Sequence, residues 1–204
     1  MTGAHVDQSM PDPEQSRIGI VDSEVDDEAS NHELLQAAEE LVLPPEPDPG
    51  PGASPTPRVR KLGPRAVALA LTQKGLREEG GGGNRNPYSR YFGYGAQHWC
   101  ADFVSWAVDR CGNQDRAVPW GYPSGVAAIN AWASREERFK SSPRRGDVFT
   151  YKNNKHTGLI VSVSGDRFTT IEGNTDGPDG KTIWVWGHVR ANDGTYYFVR
   201  RPDA

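Results

Sequence analysis

The chain has 204 residues and a formal net charge of −4, enough for one ordinary domain and a tail. The charge is unevenly placed: residues 1–57 hold thirteen acids, one base and nine of the sixteen prolines, whereas residues 58–204 hold 22 bases and 14 acids. The bases of this body are scattered rather than striped, which argues against nucleic-acid binding, and no stretch is long and apolar enough to insert into a membrane.

Residues 1–57 contain no Phe, Trp or Tyr. Such a segment cannot bury enough apolar surface to offset the entropy of ordering, so it reads as a disordered, acidic, Pro-rich arm. Within it, NHELLQAAEELVL (31–43) sets Leu34, Leu35, Ala38, Leu41 and Val42 at helical spacing behind Asn31 as a cap. That helix is either transient or a docking element for a partner. PPEPDPGPGASPTP follows it as a semi-extended linker. The opening MTGAHVDQSMPDPEQ lacks a basic n-region and an apolar core, so no signal peptide is expected.

The body begins with GPRAVALALTQKG (63–75), which has Pro at a first helical position and Gly at its end. REEGGGGNRNPYSRYFGYG reads as loop. CADFVSWAVDRCG (100–112) is the second helix, with Phe103, Val104, Ala107, Val108 and Cys111 on one apolar stripe and Gly112 as its stop. SGVAAINAWASREERF (124–139) is the third, capped by Ser124. After Pro143 the period changes to two: GDVFTYK, HTGLIVSVS, DRFTTIEG, TIWVWGHVR and TYYFVR are five strands separated by polar turns. Three helices followed by five strands predict a single α+β domain over 58–204, with helices packed on an antiparallel β-sheet or half-barrel.

The two cysteines are Cys100 and Cys111. On one helix they lie eleven residues apart, roughly 16 Å, too far for a disulfide that needs Cα atoms within about 7 Å. The five histidines are scattered and no zinc spacing occurs, so no metal and no cofactor is expected. Cys111 belongs to the apolar stripe and reads as core. Cys100 opens the helix, where unpaired N–H groups and the helix dipole favour a thiolate. Position alone still leaves burial ahead of reactivity for Cys100.

A nucleophilic cysteine needs a base and a group that orients the base. His156 opens the strand HTGLIVSVS, and the next strand ends at Glu172 and Asn174. In a hairpin about the SGD turn with Val163 opposite Arg167, His156 faces Asn174 and has Glu172 diagonally on the same face. A one-residue slip would separate them. His98 reads as a groove residue, His188 as structural, and His5 lies in the arm. TDGPDG (175–180) reads as a turn rather than a calcium loop.

NRNPYSRYFGYGAQHWCADFVSW, PRRGDVFTYKNNKHTGLIVSV, TTIEGNTDG and FVRRP, in this order, resemble the CHAP family, the cysteine, histidine-dependent amidohydrolases/peptidases of peptidoglycan hydrolases. The resemblance covers about residues 64–202. It implies a papain-like α+β fold, Cys100 as nucleophile, His156 as base, and Glu172 and Asn174 as polar residues orienting the histidine. It also implies peptidoglycan as substrate, cut at the N-acetylmuramoyl-L-alanine amide or within the stem or cross-bridge peptide. Trp99, Tyr88 and Trp120, with Asn86, Pro87, Tyr91 and Phe92, then either wall the substrate groove or belong to the core. Asp102 departs from a thiolate-friendly pattern and is expected at the exposed rim of the helix.

Two other readings stand beside the hydrolase: a catalytically silent wall-binding or virion module, and a cytoplasmic cysteine amidase for a small amide. A monomer is expected. With no signal peptide, the chain is expected to reach the wall after lysis, on a virion, or by a secretion or injection route other than Sec. The arm would serve as the docking piece.

Overall fold

In a computed structural model, the structure describes residues 62–111, 118–122, 125–180 and 183–201. The 1–57 arm, its 31–43 helix, Gly112 and Ser124 lie outside the described residues.

The described elements run in chain order as α1 (Leu62–Leu71), a short 3-10 turn (Glu79–Gly81), α2 (Pro87–Tyr91), α3 (Cys100–Cys111), α4 (Val126–Arg135), β1 (Phe139–Lys140), β2 (Val148–Tyr151), β3 (Thr157–Ser164), β4 (Arg167–Asp176), β5 (Ile183–Ala191) and β6 (Tyr196–Val199). The strands form one antiparallel sheet in the order β1-β6-β2-β3-β4-β5. The fold is α+β, with helices packed on an antiparallel sheet, as the change of period predicts.

Two elements differ from the expectation. The loop containing NPYS holds α2, because Asn86 is extended (φ −153°), its Oδ1 accepts the Ser89 N–H at 2.7 Å, and Pro87 follows at a first-turn position. The third helix ends at Arg135, and Phe139–Lys140 pair with Val199 and Phe198 as a sixth strand. Glu137 takes a positive φ of 55°, which turns the chain out of the helix.

Each face of the sheet has its own core. Val148, Leu159, Val161, Ile171, Val185 and Val199 pack against the helices, with Phe103, Val104, Ala107 and Val108 of α3 exposed by 1% or less. Burial of each of the larger of these side chains is worth about 1.5–3 kcal/mol. On the other face Phe149, Ile160, Phe168 and Phe198 form a second cluster edged by Tyr151 and Tyr196. Period-two alternation along β2 and β4 produces both cores from the same strands.

The β3–β4 hairpin has two registers. Near its turn Val163 pairs with Phe168 and Ser164 with Arg167, one residue off the expected register. A bulge between Ile160 and Ser162 absorbs the slip, so Ile160 pairs with Thr170 and Leu159 with Ile171, as expected. The end of the hairpin that carries His156 and Glu172 therefore has the predicted pairing, and the turn does not.

Gly173 lets β4 lie directly on α3. A Cβ there would stand 2.5 Å from Cβ of Phe103 and 2.6 Å from Cζ3 of Trp99. Gly173→Ala is expected to push the strand off the helix and destabilise the domain by about 1–3 kcal/mol. Urea unfolding would measure this, and an unchanged midpoint would contradict the packing described.

Candidate active site

Cys100 is the first residue of α3 and is 6% exposed. The Trp99 carbonyl accepts the Phe103 N–H at 2.8 Å, which sets the first helical turn. The N–H groups of that turn have no partner within the helix, and the positive end of the dipole lies at the sulfur.

His156 immediately precedes β3. Its Nε2 lies 2.7 Å from Oε2 of Glu172, and its imidazole also interacts with Cys100. Because Glu172 holds Nε2, Nδ1 is the ring nitrogen left for the thiol. The rings of Phe149 and Tyr151 lie 6.3 and 6.1 Å from the imidazole, centroid to centroid. Burial lowers the imidazole pKa, but the interactions with Cys100 and Glu172 outweigh it and raise the pKa to about 9.

Glu172 has no exposed surface. Gly158 makes room for it, since a Cβ at Gly158 would stand 2.7 Å from Cγ of Glu172. Its Oε1 accepts from Thr170 Oγ1 at 2.5 Å and Arg190 Nε at 2.7 Å, and its Oε2 accepts from Arg190 NH2 at 2.6 Å. Burial would raise the pKa of this carboxyl, but Arg190, His188 and His156 hold it well below the usual carboxylate range. Glu172 is thus an anion saturated by donors, one of which is the imidazole.

The structure places Asn174 differently from Glu172. A second bulge opposes Gly173 and Asn174 to one residue of β5, between the pairs Glu172–Trp186 and Thr175–Trp184. Asn174 sits there at φ 58°. Its Oδ1 accepts the Trp99 N–H at 3.1 Å and lies 3.3 Å from Nδ1 of His98. Its Nδ2 donates to Asn84 Oδ1 at 3.5 Å. Its hydrogen bonds go to Asn84 and the segment leading into Cys100 and not to the His156 imidazole, because a bulge re-aims the side chain it carries.

Asp102 corrects an expectation. It is not at an exposed rim but fully buried, and its Oδ2 accepts from Ser89 Oγ at 2.6 Å and Gln97 Nε2 at 2.7 Å. Asn86 Nδ2 donates to the same Ser89 Oγ at 2.9 Å. The carboxylate two residues after the cysteine therefore ties α2 and the 97–99 segment to α3.

The aromatic residues named for the groove are mostly interior. Trp99, Tyr88 and Trp120 are 1%, 2% and 8% exposed. Trp99 stacks on Tyr88 at 5.3 Å and donates through Nε1 to Glu78 Oε1 at 3.0 Å, while Trp120 Nε1 donates to Ser105 Oγ at 2.9 Å. Their rings pack the core around α3. Exposed aromatic surface in this region comes instead from Tyr91 and Tyr122, the latter packed on Phe92 with ring centroids 3.9 Å apart.

Cys111 is buried at the far end of α3, and its thiol donates to the Val108 carbonyl at 3.2 Å. His188 lies on β5 with Nε2 3.0 Å from Thr175 Oγ1. Asp147 of the GDV motif is buried and bound by Arg200 through Nε at 2.9 Å and NH2 at 2.6 Å, so GDV and FVRRP form a latch between β2 and the end of β6. Among the described residues, no group of three or more His, Cys, Asp or Glu is placed to hold a metal, and no helix is long and apolar enough to cross a membrane.

Arg190 is the site residue that sequence reasoning missed. Period-two alternation puts it on the sheet face of Glu172, but its reach to the carboxylate depends on the β4–β5 register, which no turn signal specifies. The available signal was chemical: a carboxylate facing inward on a central strand needs a cation, and Arg190 is the arginine on the neighbouring strand.

Residues 90–174 match the family model described as CHAP domain, a range that includes Cys100, His156, Glu172 and Asn174 and stops before Arg190. No curated protein and no solved structure matches the chain. Residues 90–174 are thus similar to a CHAP domain, and such domains are generally hydrolases acting on peptidoglycan.

Proposed function

We propose that this CHAP-like domain is a cysteine-dependent hydrolase that cleaves an amide bond of peptidoglycan, as an N-acetylmuramoyl-L-alanine amidase or an endopeptidase. One observation carries the reading: the imidazole of His156 is hydrogen-bonded to the buried Glu172 carboxylate at 2.7 Å and interacts with Cys100, the first residue of α3, which raises its pKa. That is a nucleophile, a base and an orienting anion in sequence.

In this mechanism His156 takes the Cys100 proton, and the thiolate attacks the scissile carbonyl. The Cys100 backbone N–H donates to the oxyanion. His156 then protonates the leaving amine as the tetrahedral intermediate collapses to a thioester. A water that gives its proton to the imidazole attacks the thioester and releases the carboxylate product. Glu172 stabilises the imidazolium throughout, and Asn174 fixes the backbone that enters α3. Tyr91 and Tyr122 offer exposed rings for contact with the substrate.

A silent wall-binding module would have no use for a buried anion on the histidine, which supports the enzyme over that reading. The test is to add the full chain to isolated cell walls and follow turbidity and released fragments. Clearing with new amine and carboxylate termini is expected, and mass spectrometry of the fragments names the bond. Walls left intact at every pH tried would contradict the proposal.

For such an enzyme, made in the cytoplasm, the acidic arm is the proposed docking piece for release by a lytic, virion or non-Sec route. Deleting residues 1–57 is expected to abolish export or packaging and to leave activity on isolated walls unchanged. Export that survives the deletion would refute that role.

A further inference from the structure

We propose that Arg190 is a positioning residue of this site: by gripping Glu172 with two bonds it keeps the Nε2–H tautomer of His156 and so presents Nδ1 to Cys100. The inference rests on the Cys100–His156 reading above.

Glu172 has two oxygens and four donors around it. Two of the four belong to Arg190, through Nε at 2.7 Å and NH2 at 2.6 Å. A guanidinium fork of this kind fixes the plane of a carboxylate as well as neutralising it. The remaining donors, Thr170 Oγ1 and His156 Nε2, take one oxygen each. The direction in which Oε2 faces the imidazole is therefore set from the Arg190 side.

Arg190 is itself held in place. Its NH1 donates to the Tyr151 hydroxyl at 2.8 Å, and its guanidinium lies 5.3 Å from the Phe149 ring centre and 5.5 Å from that of Tyr151. These two rings also flank His156. Arginine, carboxylate and imidazole thus form one row on one face of the sheet, drawn from β5, β4 and the start of β3. The charged and titratable groups facing Glu172 are His156, Arg190 and His188, and those facing His156 are Cys100, Glu172 and Tyr151.

Without the arginine, a carboxylate with no exposed surface would keep only the Thr170 hydroxyl and the imidazole as donors. It would then compete for the Nε2 proton or turn away. Arg190 makes Glu172 a weak base that accepts the hydrogen bond and leaves the proton on the histidine. Its effect on catalysis passes entirely through Glu172, and this separates it from a residue that merely supports the fold.

The test is a double-mutant cycle in the full chain with Arg190→Met, Arg190→Lys, Glu172→Gln and the Glu172→Gln/Arg190→Met pair. Rates on isolated walls are read at saturation and at half-saturation, and the His156 ring nitrogens by 15N NMR. Arg190→Met is expected to lower the saturating rate about 100-fold, the scale of a disabled general acid–base group, with half-saturation unchanged. Arg190→Lys should recover part of that loss. In the Glu172→Gln background, removal of Arg190 should cost nothing further.

Above about pH 9, where the imidazole is neutral, Arg190→Met should also lose the single-tautomer signature of His156. A saturating rate equal to the parent's, or the same cost with and without Glu172 and an unchanged histidine spectrum, would overturn the proposal. Where Arg190→Met does not fold, Arg190→Lys and the doubly neutral variant carry the same comparison. If the parent chain does not clear walls, the hydrolase reading falls, and the histidine spectrum still decides the role of Arg190.

Discussion

Cys100→Ala is expected to abolish wall hydrolysis, with a loss of about 10⁴-fold or more, because no other group at the site can form the thioester. Cys100→Ala leaves one methyl where a 6% exposed thiol stood, so the fold should persist. Cys111→Ala is the contrast. That thiol is buried 4% exposed at the opposite end of α3, bonded to the Val108 carbonyl. Its loss should lower stability by about 1 kcal/mol through the missing sulfur contacts and leave turnover unchanged. Rates of wall clearing for the two purified variants, at matched helicity, make the comparison. Equal effects of the two substitutions would contradict the assignment of the nucleophile.

The second large effect concerns Glu172 and pH. His156 is raised to about 9 because the interactions with Cys100 and Glu172 outweigh burial. The imidazolium that protonates the leaving amine should therefore survive to mildly alkaline pH, and activity should fall as pH rises through about 9. Glu172→Gln removes the anion. Burial then acts with less opposition, and the alkaline limb should move to lower pH, toward the ordinary histidine value of about 6.5 or below.

The same proton links pH to stability. A folded-state pKa above the unfolded one means that protonation favours the fold. This contribution is complete below about pH 6.5 and is lost as pH rises through about 9, with a full size of about 3 kcal/mol. Glu172→Gln also leaves Arg190 buried without its anion, so the variant should be less stable at every pH. Urea midpoints and rate profiles for parent and Glu172→Gln from pH 5 to 10 would test both parts. An alkaline limb that does not move would show that Glu172 does not govern the imidazole.

Much of this arrangement was legible in the sequence, and the reason is local. The apolar stripe Phe103–Val104–Ala107–Val108 fixes the helix and leaves Cys100 at its start, where chemistry and position agree. The hairpin places His156 near Glu172 because a short turn and alternating apolar residues restrict the register. What escaped was decided at longer range. The two bulges, after Ile160 and after Glu172, have no strong local signature. The first spares the predicted pairing at the active end of the hairpin, and the second sends Asn174 to the Trp99 N–H instead.

The sequence predicts Asp102 at the rim because a charged residue in the first turn of a helix is ordinarily solvated. Its partner Ser89 comes from a segment that reads as loop and Gln97 from the stretch before the helix, so the burial could not be seen from the helix alone. Arg190 was missed for the same reason. Its partner lies 18 residues away across a β4–β5 connection whose length does not specify a register. In each case the residue type was plain and its contact depended on how separate elements meet.

The most direct measurement of the central claim is the pH dependence of Cys100 alkylation by iodoacetamide, in a Cys111→Ala background so that one thiol reports. If Cys100 and His156 form a thiolate–imidazolium pair, the rate should already be high near neutral pH. His156→Ala should return it to the curve of an isolated thiol. A Cys100 that follows that curve whether or not His156 is present would contradict the account.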